Sequence, residues 1–280
     1  MGIQSVLMTS AALAAAMFMT PALAQSTDDD RPFQGLYVGA SGGYDFQGND
    51  PGESVSFDRN LDGTFGDTVL TTANANAFSP GFCDGRAQGT APSASCENDR
   101  SRLSYNARVG YDLQLNHVVI GAVIEGGRSN ISDFVSAFST TPASYTFTTK
   151  MDFNASARGR LGYAFDKTLF YGTGGLAYAK LDQRFETSNT ANSFAGRGKR
   201  DAWGYTAGGG VEQKIAKNIS FTAEYIYNDV KADRYIVRAG PGTAPATNPF
   251  LLGNASGTDL TRGDRRFRWH SIRAGLNFRF

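Results

Sequence analysis

The feature that most constrains this chain is a strict alternation of apolar and polar residues. From Leu103 to Leu113 every second residue is apolar or aromatic, and small or polar residues lie between them. An alternation of this length predicts a β-strand with two unlike faces. The same period returns from Ser271 to Phe280. The first expectation is therefore an all-β fold.

Comparable runs predict eight strands, at about 35–46, 101–114, 118–128, 147–165, 168–180, 201–214, 218–229 and 265–280. Tight turns alternate with connections of about 54, 18, 20 and 35 residues. Short periplasmic turns and long extracellular loops are typical of bacterial outer-membrane barrels, whose apolar band is roughly 25 Å tall. We therefore predict an eight-stranded antiparallel transmembrane up-and-down β-barrel, with a long first loop at about 47–100.

A soluble ligand-binding barrel would also have alternating strands, but it needs an apolar interior. The polar face here is rich in charge. Turned outward, these charges would form a solvated surface, so the period alone leaves both architectures open. The charged residues of this face are Arg108, Asp112, Glu125, Asp152, Arg158, Arg160, Glu212, Glu224 and Arg273.

The N-terminal segment favours export. An apolar run from Val6 to Met19 precedes Ala22 and Ala24, which fit a signal-peptidase site, although Met1–Ser5 lack Lys and Arg. The run is shorter than the roughly 18 residues of a spanning helix. We predict a signal peptide at 1–24, a barrel domain at 25–280 and the Gram-negative outer membrane as the location.

Composition bears on the other classes of function. With 27 Lys and Arg against 26 Asp and Glu, there is no basic excess for nucleic-acid binding. With 2 Cys and 2 His the chain has few of the side chains that bind transition metals, and we predict no metal site and no cofactor. Cys83 and Cys96 lie in the first loop of an exported chain, so we expect them to form a disulfide, free thiols being the alternative.

An eight-stranded barrel has an interior that side chains just fill. Because an unpaired ion in such an interior costs several kcal/mol, the lumenal charges should pair. We predict a network that plugs the barrel; alternatively some of these groups lie hydrated at the rims. The predicted members are Glu125, Glu212 and Glu224 with Arg108, Arg158, Arg160 and Arg273.

Two motifs raise catalytic or nucleotide-binding alternatives. His270 and Ser271 are adjacent on a strand and should point to opposite faces, which prevents proton sharing. The segment from Gly172 to Ala177 fits a dinucleotide fingerprint, but the period stays at two where a helix would be required. We predict no enzyme activity.

The last strand has an apolar row with an aromatic end, formed by Ile272, Ala274, Leu276, Phe278 and Phe280. With Gly35–Gly39, Val123–Gly126 and Ala223–Tyr225, it resembles the OmpA-like and opacity-like surface proteins, particularly the immunogenic outer-membrane barrels of alphaproteobacteria. The resemblance implies contact with outer-membrane lipids, recognition of the last strand by the barrel-assembly machinery, and a structural role in the envelope. A narrow porin and a loop-mediated adhesin with a host or envelope partner are the alternatives.

Overall fold

The computed structural model describes residues 31–48 and 52–280, and its regular structure is almost entirely β. One short 3₁₀ turn, Pro92–Ala94, interrupts the first long connection. In chain order the strands are β1 Gly35–Phe46, β2 Val55–Asp58, β3 Gly81–Asp84, β4 Arg86–Ala87, β5 Cys96–Glu97, β6 Arg102–Leu115, β7 Val118–Ser129, β8 Ser132–Ser139, β9 Ala143–Phe165, β10 Thr168–Thr187, β11 Ser193–Arg197, β12 Asp201–Lys214, β13 Ile219–Ala232, β14 Ile236–Gly240, β15 Thr258–Arg262 and β16 Arg266–Arg279.

Eight long strands form a closed ring in the order β1, β6, β7, β9, β10, β12, β13 and β16. Each pairs antiparallel with the next, and β16 closes the ring on β1, where Tyr37 faces Arg279. Closure leaves no unpaired strand edge, which is the requirement for β-structure in a membrane. The predicted eight-stranded antiparallel barrel is confirmed.

The alternation of the sequence maps onto the two surfaces of this ring. Along β6, Leu103 is 78% exposed on the outer surface, whereas Asp112 is 0% exposed in the lumen. In β16, Ile272, Leu276 and Phe278 likewise face outward, and Arg273 and Arg279 face inward. An apolar exterior with a polar lumen is the arrangement of membrane barrels and the reverse of a soluble ligand-binding barrel.

The connections differ sharply between the two ends of the barrel. At one end, residues 116–117, 166–167 and 215–218 join successive strands. Asn116 and Asp166 have left-handed φ angles of 53° and 51°, which Asn and Asp tolerate in tight hairpins. The longer connections all lie at the other end, which is therefore the extracellular end.

The long connections fold into a second layer of structure, which we call the head. The outer parts of β9 and β10 pair with each other, and β8 and β3 extend this sheet beyond the barrel. A second sheet has the order β11, β14, β15 and β2. Side chains from both sheets share one apolar core, in which the rings of Phe147 and Phe185 are 4.9 Å apart and those of Tyr145 and Phe250 are 5.6 Å apart.

A β-bulge marks the border between barrel and head. Lys180 pairs with Phe153 and Leu181 pairs with Met151, so Asp152 is the extra residue of β9. The bulge reverses the alternation. In the sequence Met151 continues the apolar row of Phe153 and Ala155, which predicts an outward side chain, but in the structure the Met151 side chain is fully buried. The prediction that Asp152 belongs to the polar, lumenal face is also wrong. Its side chain lies outside the barrel and accepts a 2.5 Å hydrogen bond from Arg200.

Cys83 in β3 and Cys96 in β5 form a disulfide across 13 residues of the first connection, which confirms the expected bridge. β3 also pairs with β8, where Cys83 faces Ser136. The bridge therefore joins the β4–β5 hairpin to the head. The predicted signal peptide, with Ala22 and Ala24 at its cleavage site, lies outside the described residues, and the division at 24/25 stays a prediction.

Candidate functional site

The charged side chains of the lumen form two connected layers along the barrel axis. Each comes from an inward position of a barrel strand, because residues two apart share a face. The layer nearer the periplasmic end contains Asp112 of β6, Arg160 of β9, Glu212 of β12 and Arg279 of β16. The next layer contains Arg108, Glu125, Arg158, Glu224 and Arg273.

In the periplasmic layer two arginines bridge two carboxylates. Asp112 lies 3.2 Å from Arg160 and 2.9 Å from Arg279. Glu212 is paired with Arg160 and lies 3.3 Å from Arg279, and it also accepts a 2.5 Å hydrogen bond from the Ser220 hydroxyl. Each carboxylate is thus held by two guanidinium groups from different strands.

In the second layer, Glu125 is shared among three arginines. It pairs with Arg273, and its second oxygen lies 3.2 Å from Arg108 and 3.4 Å from Arg158. Arg108 also reaches Glu224 at 2.6 Å. Since Arg108 belongs to β6 and Glu224 to β13, this contact crosses the lumen instead of following the wall.

Tyrosine rings pack between the charged groups. Arg160 lies 3.9 Å from the centre of the Tyr171 ring, and Arg279 lies 4.7 Å from that of Tyr37. The Tyr171 hydroxyl donates a 2.7 Å hydrogen bond to Glu224 and so connects the two layers. Guanidinium stacking on aromatic faces adds to the ion pairs. The lumen is consequently occupied by interlocking side chains.

An apolar layer covers these charges toward the extracellular end. Trp269 is four residues before Arg273 on β16 and therefore lies nearer the extracellular end. It packs with Phe267, Met151 and Leu181. All four side chains are buried. At the periplasmic end Phe33 packs with Val119 and Leu169. The charged layers are therefore enclosed between two apolar ones.

A third group of charges lies where the head meets the barrel mouth. Arg262 of β15 is 2.5 Å from Glu53 and 2.8 Å from Asp133. Asp99 accepts a 2.9 Å hydrogen bond from the backbone of Phe134. Burial raises the pKa of Glu53 to about 7 against the opposing effect of Arg262, and burial together with Asp133 raises the pKa of Asp99 to about 8.

The structure places all seven of the predicted charged residues in the lumen and brings each into at least one ion pair. These are Arg108, Glu125, Arg158, Arg160, Glu212, Glu224 and Arg273. Sequence reasoning left Asp112 and Arg279 out of the network. Both occupy inward positions of the same alternation, so the period itself was the signal that could have included them.

The structure also gives the positions of the two motifs that suggested catalysis or nucleotide binding, namely His270–Ser271 and the segment from Gly172 to Ala177. Ser271 is buried in the lumen and accepts a 3.1 Å hydrogen bond from Arg273, whereas His270 faces outward beside the Tyr225 hydroxyl at 2.6 Å. The segment from Gly172 to Ala177 lies within β10. Neither a Ser–His dyad nor a strand-to-helix turn is formed at these positions.

A closed eight-stranded ring with an apolar exterior and a charged interior defines a transmembrane β-barrel. The chain belongs to the family described as outer membrane protein beta-barrel domain, which matches residues 10–280. It is an outer-membrane protein, as the alternation and the family resemblance predicted.

Two relatives and one solved structure illustrate the similarity. The chain is 30% identical over 175 residues to a 31 kDa outer-membrane immunogenic protein of Brucella melitensis biotype 1, covering 62% of this chain and 64% of that protein. It is 32% identical over 145 residues to a 22 kDa outer membrane protein of Rhizobium leguminosarum bv. viciae, covering 51% and 61%. The matches thus span less than two thirds of either relative.

The fold is similar to that of the outer membrane protein OprG from Pseudomonas aeruginosa, with a TM-score of 0.51 at 14% identity, covering 88% of this chain and 97% of that chain. At this identity the likeness concerns the fold alone.

Proposed function

We propose that this protein is a structural surface protein of the outer membrane, in which a closed barrel anchors a folded head and contributes to envelope integrity. The observation that supports this most is the filled lumen. Five arginines and four carboxylates interlock there: Arg108, Arg158, Arg160, Arg273 and Arg279 with Asp112, Glu125, Glu212 and Glu224.

A hydrated solute could pass only by separating these pairs. Breaking a buried ion pair costs about 3–5 kcal/mol. Because each carboxylate is shared by several arginines, displacing one side chain weakens more than one pair. The apolar layer around Trp269 would also have to open. The filled lumen therefore favours a closed structural barrel over a narrow porin.

Planar-bilayer recording tests the proposal. We expect the reconstituted protein to show no large steady conductance. The double variant Glu125→Ala/Arg273→Ala, which removes a central pair and leaves space, should conduct more than the parent. A large steady conductance of the unaltered protein would support the porin alternative and defeat the closed-barrel role.

A second candidate function is binding to a host or envelope partner through the head, as an adhesin would. The head supports this candidate because it packs around its own apolar core. A packed core keeps the outer surface of the head in one conformation, which a binding partner requires. The Brucella relative is described as immunogenic, which fits exposure at the cell surface. If deletion of residues 50–99 left binding to host surfaces unchanged, the first connection would have no part in such a function.

For assembly, we propose that the barrel-assembly machinery recognises the outward row of β16, formed by Ile272, Ala274, Leu276, Phe278 and Phe280. The row is exposed on the barrel, and Phe280 donates its backbone N–H to Leu36 at 3.0 Å, next to the closing pair of strands. Replacing Phe278 and Phe280 by Ser should slow insertion into membranes that contain the machinery more than it slows insertion into detergent micelles.

A further inference from the structure

A row of inward positions crosses five neighbouring strands of the barrel wall. Arg158 of β9 faces Gly175 of β10, which faces Thr206 of β12. Thr206 in turn faces Asn228 of β13, and Asn228 faces Trp269 of β16. Directly opposed residues on one face of a sheet have Cβ atoms about 4.5–5.5 Å apart. We call these five residues the donor row.

The side chains of the donor row carry hydrogen-bond donors that are buried and unpartnered. Arg158, Thr206, Asn228 and Trp269 are between 1% and 5% exposed. Within the part of the chain that the structure describes, the three guanidinium nitrogens of Arg158 and the Thr206 hydroxyl make no hydrogen bond. The same holds for the side-chain nitrogen of Asn228 and the indole nitrogen of Trp269. Buried polar groups are nearly always hydrogen-bonded, so four neighbouring exceptions point to an acceptor in the lumen.

The charge of the lumen also has an excess at one end of this row. The two charged layers contain five arginines and four carboxylates. Arg158 has the longest ion pair of these layers, 3.4 Å to Glu125, and that carboxylate also pairs with two other arginines. Glu224 acts on Arg158 electrostatically, but it is already hydrogen-bonded by Arg108 and by the Tyr171 hydroxyl. The excess positive charge is therefore centred on Arg158.

A further buried carboxylate does not compensate this charge. Asp45 of β1 is 0% exposed and accepts a 3.0 Å hydrogen bond from Ser104. Its direct partners are Ser271 of β16 and Arg102 of β6, which is exposed at the extracellular rim. β6 and β7 separate β1 from β9 in the ring. Asp45 thus lies beside Arg102 and on a different part of the wall from Arg158.

The inward positions around Thr206 contribute no side chain to the lumen. Its partner on β10 is Gly175, and Gly204 and Gly208 are the inward positions on either side of it along β12. An eight-stranded barrel is filled by the side chains that point inward. Three glycines together leave this part of the interior to a small occupant next to the donors.

The chemistry of the donors discriminates between small occupants. A guanidinium group, a side-chain amide nitrogen and an indole nitrogen can only donate, so among the unpartnered groups only the Thr206 hydroxyl can also accept. A water molecule accepts two hydrogen bonds and needs acceptors for two of its own. A halide ion accepts from several donors, has no proton to place and makes stronger, charge-assisted bonds. It also balances the excess positive charge.

We propose that the donor row binds one monovalent anion of the size of chloride inside the barrel. Arg158, Thr206 and Asn228 hold the anion, and the indole N–H of Trp269 is a further donor toward it. The bound anion brings the charge of the two layers to zero. The site goes beyond the proposed structural role, because it makes the stability of the barrel depend on the anion, and it does not depend on whether the barrel conducts.

The direct test is the crystal structure of the unaltered protein grown in bromide, which is close to chloride in size and gives an anomalous X-ray signal. We expect an anomalous peak in contact with the guanidinium group of Arg158 and the Thr206 hydroxyl. Ordered water without an anomalous signal at this position would overturn the proposal.

In solution, the test is urea unfolding in lipid vesicles at constant ionic strength, with chloride replacing gluconate, an anion too large for the site. Binding of one anion to the folded state should lower the unfolding equilibrium constant about tenfold for each tenfold rise in chloride above saturation. No difference between chloride and gluconate would contradict the site.

The variant Thr206→Val/Asn228→Leu removes two donors without changing the charge, and it should lose most of this chloride dependence. The matched control is Thr222→Val, because Thr222 is 1% exposed, has an unpartnered hydroxyl and lies outside the donor row. Heat-modifiability on gels verifies that each variant is folded, and Thr206→Val alone replaces the double variant if that fails to fold. Equal chloride dependence in variant and control would show a general salt effect and overturn the site.

Discussion

Among the lumenal carboxylates of the described residues, Glu125 forms ion pairs with the largest number of arginines. Its two oxygens serve Arg108, Arg158 and Arg273, which come from three different strands. A carboxylate in this position compensates like charges that would otherwise repel one another across a narrow space. Its removal therefore acts on the barrel as a whole.

We expect Glu125→Gln to lower the free energy of unfolding by about 3 kcal/mol, because it leaves three guanidinium groups without their shared anion. The measurement is denaturant unfolding in lipid vesicles, followed by tryptophan emission. The control is Glu186→Gln, which removes an exposed pair with Arg86 and should cost less than about 1 kcal/mol. Equal effects of the two substitutions would contradict the central role of Glu125.

Gly110 provides a second residue-level prediction. A Cβ at this inward position would lie 2.4 Å from the Tyr37 ring, which packs against Arg279. Gly110→Ala should destabilise the barrel by about 1–3 kcal/mol through overpacking. The matched change is Gly159→Ala on the outer face of β9, where the nearest atom is 3.8 Å away. Comparable unfolding midpoints for the two variants would refute this account.

At the scale of elements, the head is a folded unit with its own core, joined to the barrel by continuous strands. β9 runs for 23 residues and β10 for 20, so each spans the membrane and then forms part of the head. Around Arg262 the head buries Glu53, Asp99 and Asp133, and Asp84 adds to the negative potential. One arginine thus faces several carboxyl groups.

The head should therefore lose stability as pH rises. The pKa values of Glu53 and Asp99 are raised to about 7 and about 8, from ordinary values of 4.5 and 3.8. A raised carboxyl pKa favours folding below the ordinary value, and this contribution is lost as pH rises through the folded value. Corrected for intrinsic rates, amide hydrogen exchange in β2, β8 and β15 should be faster at about pH 9 than at about pH 5.

The barrel strand β6 is the internal reference for this measurement. The double variant Glu53→Gln/Asp99→Asn should abolish most of the pH dependence, since neither amide titrates in this range. If the head of the double variant kept the full dependence, the two carboxyl groups would not be its source.

At the scale of the whole molecule, the barrel is expected to fold without the first connection. The pairing of β1 with β6 and with β16 is complete within the ring, and it uses no residue of that connection. The head does depend on it, because β2 is the partner of β15 and β3 that of β8.

Deletion of residues 52–99 should therefore leave a heat-modifiable barrel, whose gel mobility differs before and after boiling. The head should open, so that brief proteolysis cuts the connections at 188–200 and 233–257, which the parent protects. An unaltered cleavage pattern would show that the remaining connections fold independently. Loss of heat-modifiability would show that the barrel itself needs the connection.

The sequence by itself determined the barrel. A membrane and a narrow lumen present two opposite environments, so each spanning strand must alternate. Period two identifies the ends of the eight strands to within four residues, except that β10 runs to Thr187, seven residues past its predicted end. The same alternation placed Arg108, Glu125 and Arg273 in the lumen. It could not select their partners, because the Arg108–Glu224 contact crosses the interior and depends on how the ring closes.

Only the tertiary structure decided the head and the bulge. The head strands β2 and β15 have four and five residues and pair across about 200 positions of sequence, too short for a periodic signal and too distant for a local one. At Asp152 one inserted residue reverses the faces of β9, and its location depends on the neighbouring strand. Alternation within one strand shows which of its faces is apolar. Which distant strands pair with each other depends on how their side chains pack in the folded protein, and a local pattern does not contain that information.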